Sequence, residues 1–163
     1  MASLFEAEIR EQPLTLARLV REGREEAEAL GRAVREAGPA FVMLAARGSS
    51  DNAARYAQYL FGLENRLSVA LAAPSLFTHY AAPPSLAGAL VMGVSQSGQS
   101  PDVVEVVREG RRQGALTAAL SNDPGSPLAQ AAQFGLALRA FYLHAAAATK
   151  TYTLSVTRTV PPS

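Results

Sequence analysis

The sequence predicts a three-layer α/β sandwich: a five-stranded parallel sheet with flavodoxin-like order 2-1-3-4-5 and helices on both faces. Three observations lead there. Short apolar runs at residues 41–46, 67–72, 89–94, 116–120 and 134–138 are each bounded by Gly, Pro or small polar residues and read as buried strands. Stretches of helical spacing lie between them, so each strand is followed by a crossover that returns to the same sheet, right-handed by the usual chirality. The 163 residues, of which 48% are hydrophobic, are enough for one domain with a real core.

Taken in order, residues 1–13 form an N-terminal arm, with Leu4, Phe5 and Ile9 as its apolar positions and Pro13 as its stop. Residues 14–163 form a single domain. Leu16, Val20, Ala27, Leu30 and Val34 recur on one helical face, with Gly23 in the same series, and Gly38 and Pro39 end that helix. After the first strand, Ser49 and Ser50 are placed to cap a helix whose apolar stripe includes Ala53, Tyr56, Ala57 and Leu60 and which Gly62 should end. A short helical connector spans residues 74–80. The helix after the third strand begins at Pro101, carries Val103, Val104, Val106 and Val107, and stops at Gly114. Residues 121–125 are a turn, 127–132 a short helix, and a last helix is expected from Thr149.

In the order 2-1-3-4-5 the crevice that binds ligands lies where the chain direction reverses, beyond the ends of strands 1 and 3. The loops there are Arg47, Gly48, Ser49, Ser50, Asp51 and Asn52 after strand 1, and Ser95, Gln96, Ser97, Gly98, Gln99 and Ser100 after strand 3. Two serine-rich loops, far apart in sequence, thus become neighbours. Hydroxyls, free amides and the positive end of a helix dipole suit a small anion. The second loop carries no cation, which fits a phosphate monoester better than a polyphosphate with its metal.

Other chemistries fit less well. Ser95 lacks the final glycine of a nucleophile elbow. No dinucleotide glycine pattern follows strand 1, and the crevice loops offer no aromatic walls for a flavin. His79 and His144 have no partners at ligand spacing, so no metal is expected. With no cysteine, thiol catalysis and disulfides are excluded. The net charge of +1 gives no electrostatic case for nucleic acid, and no apolar run is long enough to span a membrane. A cytoplasmic location is expected from the absence of cysteine and of a signal peptide. Asp51 reads as a first-turn acid. Arg47 reads equally as the fixed cation nearest a phosphate or as a surface residue, and Lys150, the one lysine, is either a ligand contact or an ordinary helix-start residue.

Four segments, at residues 46–50, 94–100, 121–128 and 147–153, resemble in order and spacing the sugar isomerase (SIS) domain family. The nearest likeness is to the first SIS half of the isomerase part of glutamine–fructose-6-phosphate aminotransferase and to glucosamine-6-phosphate deaminase-like relatives. Glu8 to Pro13 also resembles the segment that opens that part. The resemblance implies a hexose 6-phosphate ligand of the fructose 6-phosphate or glucosamine 6-phosphate class, with no cofactor. By position it implies phosphosugar contacts from Ser50, Ser95, Gln96, Ser97 and Ser100, the last standing where the family often has threonine. It implies sugar-end contacts, mainly through backbone, from the segment holding Ala146, Ala148 and Lys150.

The likeness has departures. The family usually places Gly, Pro and Glu before the Ala-Thr-Lys element, and residues 141–146 here bring no carboxylate. Enzymes of this type carry two SIS halves, with acid–base residues mainly in the second. This chain corresponds to one, so it is expected to be incomplete for catalysis alone, and no catalytic residue is assigned. A homodimer imitating the tandem is expected to cover the apolar face a lone half exposes. The alternative is a non-enzymatic phosphosugar-sensing module of a sugar-responsive regulator.

Overall fold

A computed structural model describes residues 4–138. The order of elements is α1 (Leu4–Glu22), α2 (Arg24–Ala37), β1 (Phe41–Ala46), α3 (Ser49–Asn65), β2 (Ser68–Leu71), α4 (Ser75–Thr78), β3 (Ala89–Val94), α5 (Pro101–Arg112), β4 (Leu116–Ser121), α6 (Pro127–Ala131) and β5 (Phe134–Ala137). The five strands form one sheet in the order β2-β1-β3-β4-β5, parallel throughout, as the sequence predicts.

Strand periodicity divides the core in two. Val42 and Leu44 face one side with Leu90, Met92, Val94, Ala118 and Leu120, and α1, α2 and α3 cover them through Leu19, Leu30, Ala54, Ala57 and Phe61. Ala45, Ala89, Val91 and Ala119 face the other side, covered by Phe77 of α4, the valines of α5 and Leu128. All six residues of β3 are buried, because the central strand has a helical layer on each face. Two glycines let the second layer come close. A Cβ on Gly93 would meet Leu128 Cδ1 at 2.7 Å and Val107 Cγ2 at 2.8 Å, and one on Gly110 would meet Val91 Cγ2 at 2.8 Å.

Several local expectations are corrected. Pro13 lies inside α1 rather than ending it; the Thr15 hydroxyl donates to the Glu11 carbonyl at 3.0 Å across the proline, and the break falls at Gly23. Thr15 and Leu19 are buried on α1, in line with the buried Gly23 at the break, which leaves Val20 exposed. Tyr56 is exposed as well, since Ala53, Ala54, Ala57 and Phe61 make the buried face of α3. Gly62 does not stop that helix. Arg66 takes the left-handed cap conformation at φ 56°, and the amides of Arg66 and Leu67 both donate to the Phe61 carbonyl.

Candidate functional site

The crevice is built by divergence. From β1 the chain passes through α3 to β2, and from β3 it passes through α5 to β4 on the opposite side. Ala46 and Val94, the last residues of β1 and β3, are register partners, so the two serine loops begin side by side. An ion pair joins them: Arg47 Nη1 donates to Asp102 Oδ2 at 2.5 Å, linking the first loop to the first turn of α5.

In the second loop, Ser95 is buried and its amide donates to the Leu120 carbonyl, which extends the β3–β4 pairing by one residue. Its hydroxyl lies 3.2 Å from that of Ser100. The Gln96 carbonyl accepts from the Asn122 amide at 2.9 Å, and the Gly98 carbonyl accepts from the Leu128 amide at 3.1 Å. Both bonds tie the loop to the segment after β4. Gly98 has φ 65°, and a Cβ there would fall onto the side chain of Ser126. The exposed Ser97 hydroxyl accepts from the Gln99 amide at 3.3 Å. The amides of Ser97, Ser100 and Asp102 find no acceptor among the described residues. They remain available as donors at the positive end of α5.

Ser49 and Ser50 do not cap α3, which corrects the expectation above. Gly48, at φ 59°, holds the cap position with no side chain to offer, and the two serines are the first helical residues, Ser50 half-buried. Ser100 does hold the cap position of α5, yet its side chain makes no capping bond; its hydroxyl turns to Ser95. At the same end of the sheet α6 is capped in the ordinary way, Ser126 Oγ accepting from the Ala129 amide at 3.3 Å. Both helices that flank the crevice therefore start without a side-chain cap, as the short α4 also does.

Thus Ser95 and Ser100 are in contact, Ser97 and Gln96 lie on the same loop, and Ser50 is the second residue of the helix after the neighbouring strand. Ala146, Ala148, Lys150 and His144 lie outside the described residues. His79 is exposed and meets the Tyr80 ring edge-on at 4.9 Å. Asp51 is paired within α3 to Arg55 at 2.9 Å. No group of acidic residues and histidines suited to a metal occurs among the described residues. An open groove of about 560 Å³ runs along the α4–α5–α6 side of the loop, past Phe77, Gln99, Pro101, Val104 and Pro127. No described helix is long and apolar enough to cross a membrane.

Sequence reasoning missed Asp102 as a crevice residue, and Ser121 and Ser126 as the second loop's support. The Ser121 hydroxyl donates to the Asp123 carbonyl at 2.9 Å and lies 3.2 Å from that of Ser126. An acid in the first turn after a proline is visible in sequence, but its pairing with an arginine 55 residues away is not.

The family model of the SIS domain matches residues 41–160. The glutamine–fructose-6-phosphate aminotransferase (isomerizing) of Aeropyrum pernix is 37% identical over 148 residues, covering 89% of this chain and 23% of that enzyme. Among solved structures, a Silicibacter pomeroyi protein described as a phosphosugar isomerase superposes with a TM-score of 0.94 at 37% identity, over 97% of this chain and 48% of that one. The Vibrio vulnificus NanR protein complexed with ManNAc-6P shares the fold, with a TM-score of 0.76 at 17% identity over 98% of this chain and 60% of that one. The chain spans about a quarter of the aminotransferase and about half of the Silicibacter protein.

Proposed function

Since the chain belongs to the SIS domain family, we propose that it binds a hexose 6-phosphate of the fructose 6-phosphate or glucosamine 6-phosphate class, as a domain of aminosugar metabolism in the cytoplasm. The phosphate sits at the start of α5 and takes donors from Ser50, Ser95, Gln96, Ser97 and Ser100. The sugar points toward Ala146, Ala148 and Lys150. The carrying observation is that two helix starts without side-chain caps adjoin the same crevice, one of them with free amides. Such a site binds a dianion by hydrogen bonds and helix dipole, with no metal. A second copy of the chain packs on it as a homodimer.

Ketose–aldose isomerisation of such a sugar needs a base to carry a proton between C1 and C2 and an acid to open the ring. At the crevice, the described carboxylates Asp51 and Asp102 are both committed to arginines. Binding is therefore the function proposed for this chain, and turnover requires residues from elsewhere. A second reading, a sensing module that binds a phosphosugar without converting it, draws support from NanR, whose like fold carries ManNAc-6P.

Calorimetry with fructose 6-phosphate and glucosamine 6-phosphate, with and without EDTA, tests the proposal, alongside a turnover assay. Saturable binding indifferent to EDTA is expected, with about 2.7 kcal/mol of added stability at 100 times the dissociation constant. No binding of either sugar, nor of inorganic phosphate, overturns it. Turnover by the chain alone overturns the sensing reading.

A further inference from the structure

The crevice contains a feature that opposes anion binding. Asp102 is the second residue of α5, its side chain only 16% exposed, and its Oδ1 lies 3.0 Å from the Val103 amide. A carboxylate therefore already occupies the helix start where a phosphate is proposed to sit, and like charges at such range repel strongly in a partly desolvated site. The compensating charge comes from the other loop: Arg47, 66% exposed, donates to Asp102 Oδ2 at 2.5 Å. The other first-turn acid of the crevice, Asp51, has its own partner in Arg55.

We infer that Arg47 is a charge shield: by pairing with Asp102 across the two loops, it neutralises the one carboxylate at the start of α5 and so permits a phosphate ester to dock there. The inference rests on the phosphosugar reading above. It makes Arg47 a positioning and affinity-setting residue that acts through Asp102, and it differs from a mechanical clamp in the sign of one substitution. A clamp loses function when either partner is removed. A shield loses function only when the arginine is removed and the carboxylate stays.

The test is a double-mutant cycle on the whole chain, with fructose 6-phosphate and, separately, inorganic phosphate as probes in calorimetry, and melting without ligand as the folding control. R47A should weaken both probes at least about tenfold. D102N should bind as tightly as the parent or more so, and R47A/D102N should return to within about threefold of it. R47K, which keeps the charge, should retain most of the affinity. Equal weakening by R47A and D102N, or no effect of R47A, overturns the shield while leaving the binding function intact. A parent that binds neither probe overturns both.

Discussion

The hydroxyls of Ser95 and Ser100 lie 3.2 Å apart, one on the residue that follows β3 and the other on the residue that precedes α5. Each helix-start serine has a choice between capping its own helix and making another bond. Ser126 caps α6, whereas Ser100 bonds across its loop and leaves the start of α5 open. The loop closes on itself between those two residues, and Ser97 stands exposed at its tip.

Ser95 and Ser97 should therefore separate stability from binding. Ser95→Ala removes a buried hydroxyl from its partner and should cost about 1 kcal/mol in denaturant unfolding. Ser97→Ala, at an exposed position, should change stability by no more than about 0.5 kcal/mol. Both should weaken fructose 6-phosphate binding in calorimetry. A Ser97→Ala protein that binds as the parent does would remove the loop tip from the phosphate site.

Gly98 is the joint between the second serine loop and the segment after β4. Alanine there would adopt a left-handed conformation and drive its Cβ into Ser126. The expected cost is about 2–4 kcal/mol, the strain of positive φ added to that of overpacking. Gly98→Ala with Ser126→Gly should recover only the packing part, because the backbone strain stays. Equal stability of Gly98→Ala and the parent in urea unfolding would contradict this geometry.

Acid should weaken the far end of α5. Glu109 is buried and accepts from Arg112 through two nitrogens at 2.6 Å each and from Gln113 Nε2 at 2.7 Å. The hydrogen bonds from Arg112 first, and from Gln113 next, hold its carboxyl below the usual glutamate range, against a smaller opposing effect of burial. A depressed folded-state pKa gives stability that is present above the unfolded value, about 4.3, and is lost as pH falls through the folded one. Glu109→Gln should therefore flatten the pH dependence of unfolding below about pH 4.5 and leave its course above pH 6 unchanged. Gln113 also binds the Leu86 amide at 2.7 Å, so the connector before β3 should loosen with it, visible as faster amide exchange at Leu86.

How much of this was readable in advance follows from the range of each interaction. The strand runs, the helix from Pro101 and the order of the sheet depend on periodicity and on the alternation of strand and helix, both local properties of the chain. The placement of the serine loops at one crevice followed from that order. Departures arose where packing against the rest of the fold decided which face is buried, or where the turns on either side overrode one residue's propensity. Val20 and Tyr56 fit an apolar stripe, but the layer beneath them is satisfied by Leu19 and by alanines, so they stay outside. Pro13 and Gly62 are breakers by propensity alone, and the flanking turns carried the helix through both.

From its residue pattern alone, this protein was bound to be a parallel α/β sandwich with two hydroxyl-rich turns beyond neighbouring strands. Burial of alternating apolar runs and the handedness of crossovers leave few other arrangements. Tertiary structure alone decided which serine caps a helix and which does not, that Gly98 must be bare against Ser126, and that Arg47 spends its charge on Asp102. The last two depend on ångström-scale approach between segments tens of residues apart, and the first on the path each loop takes once those segments hold it; no property of a segment taken separately encodes either.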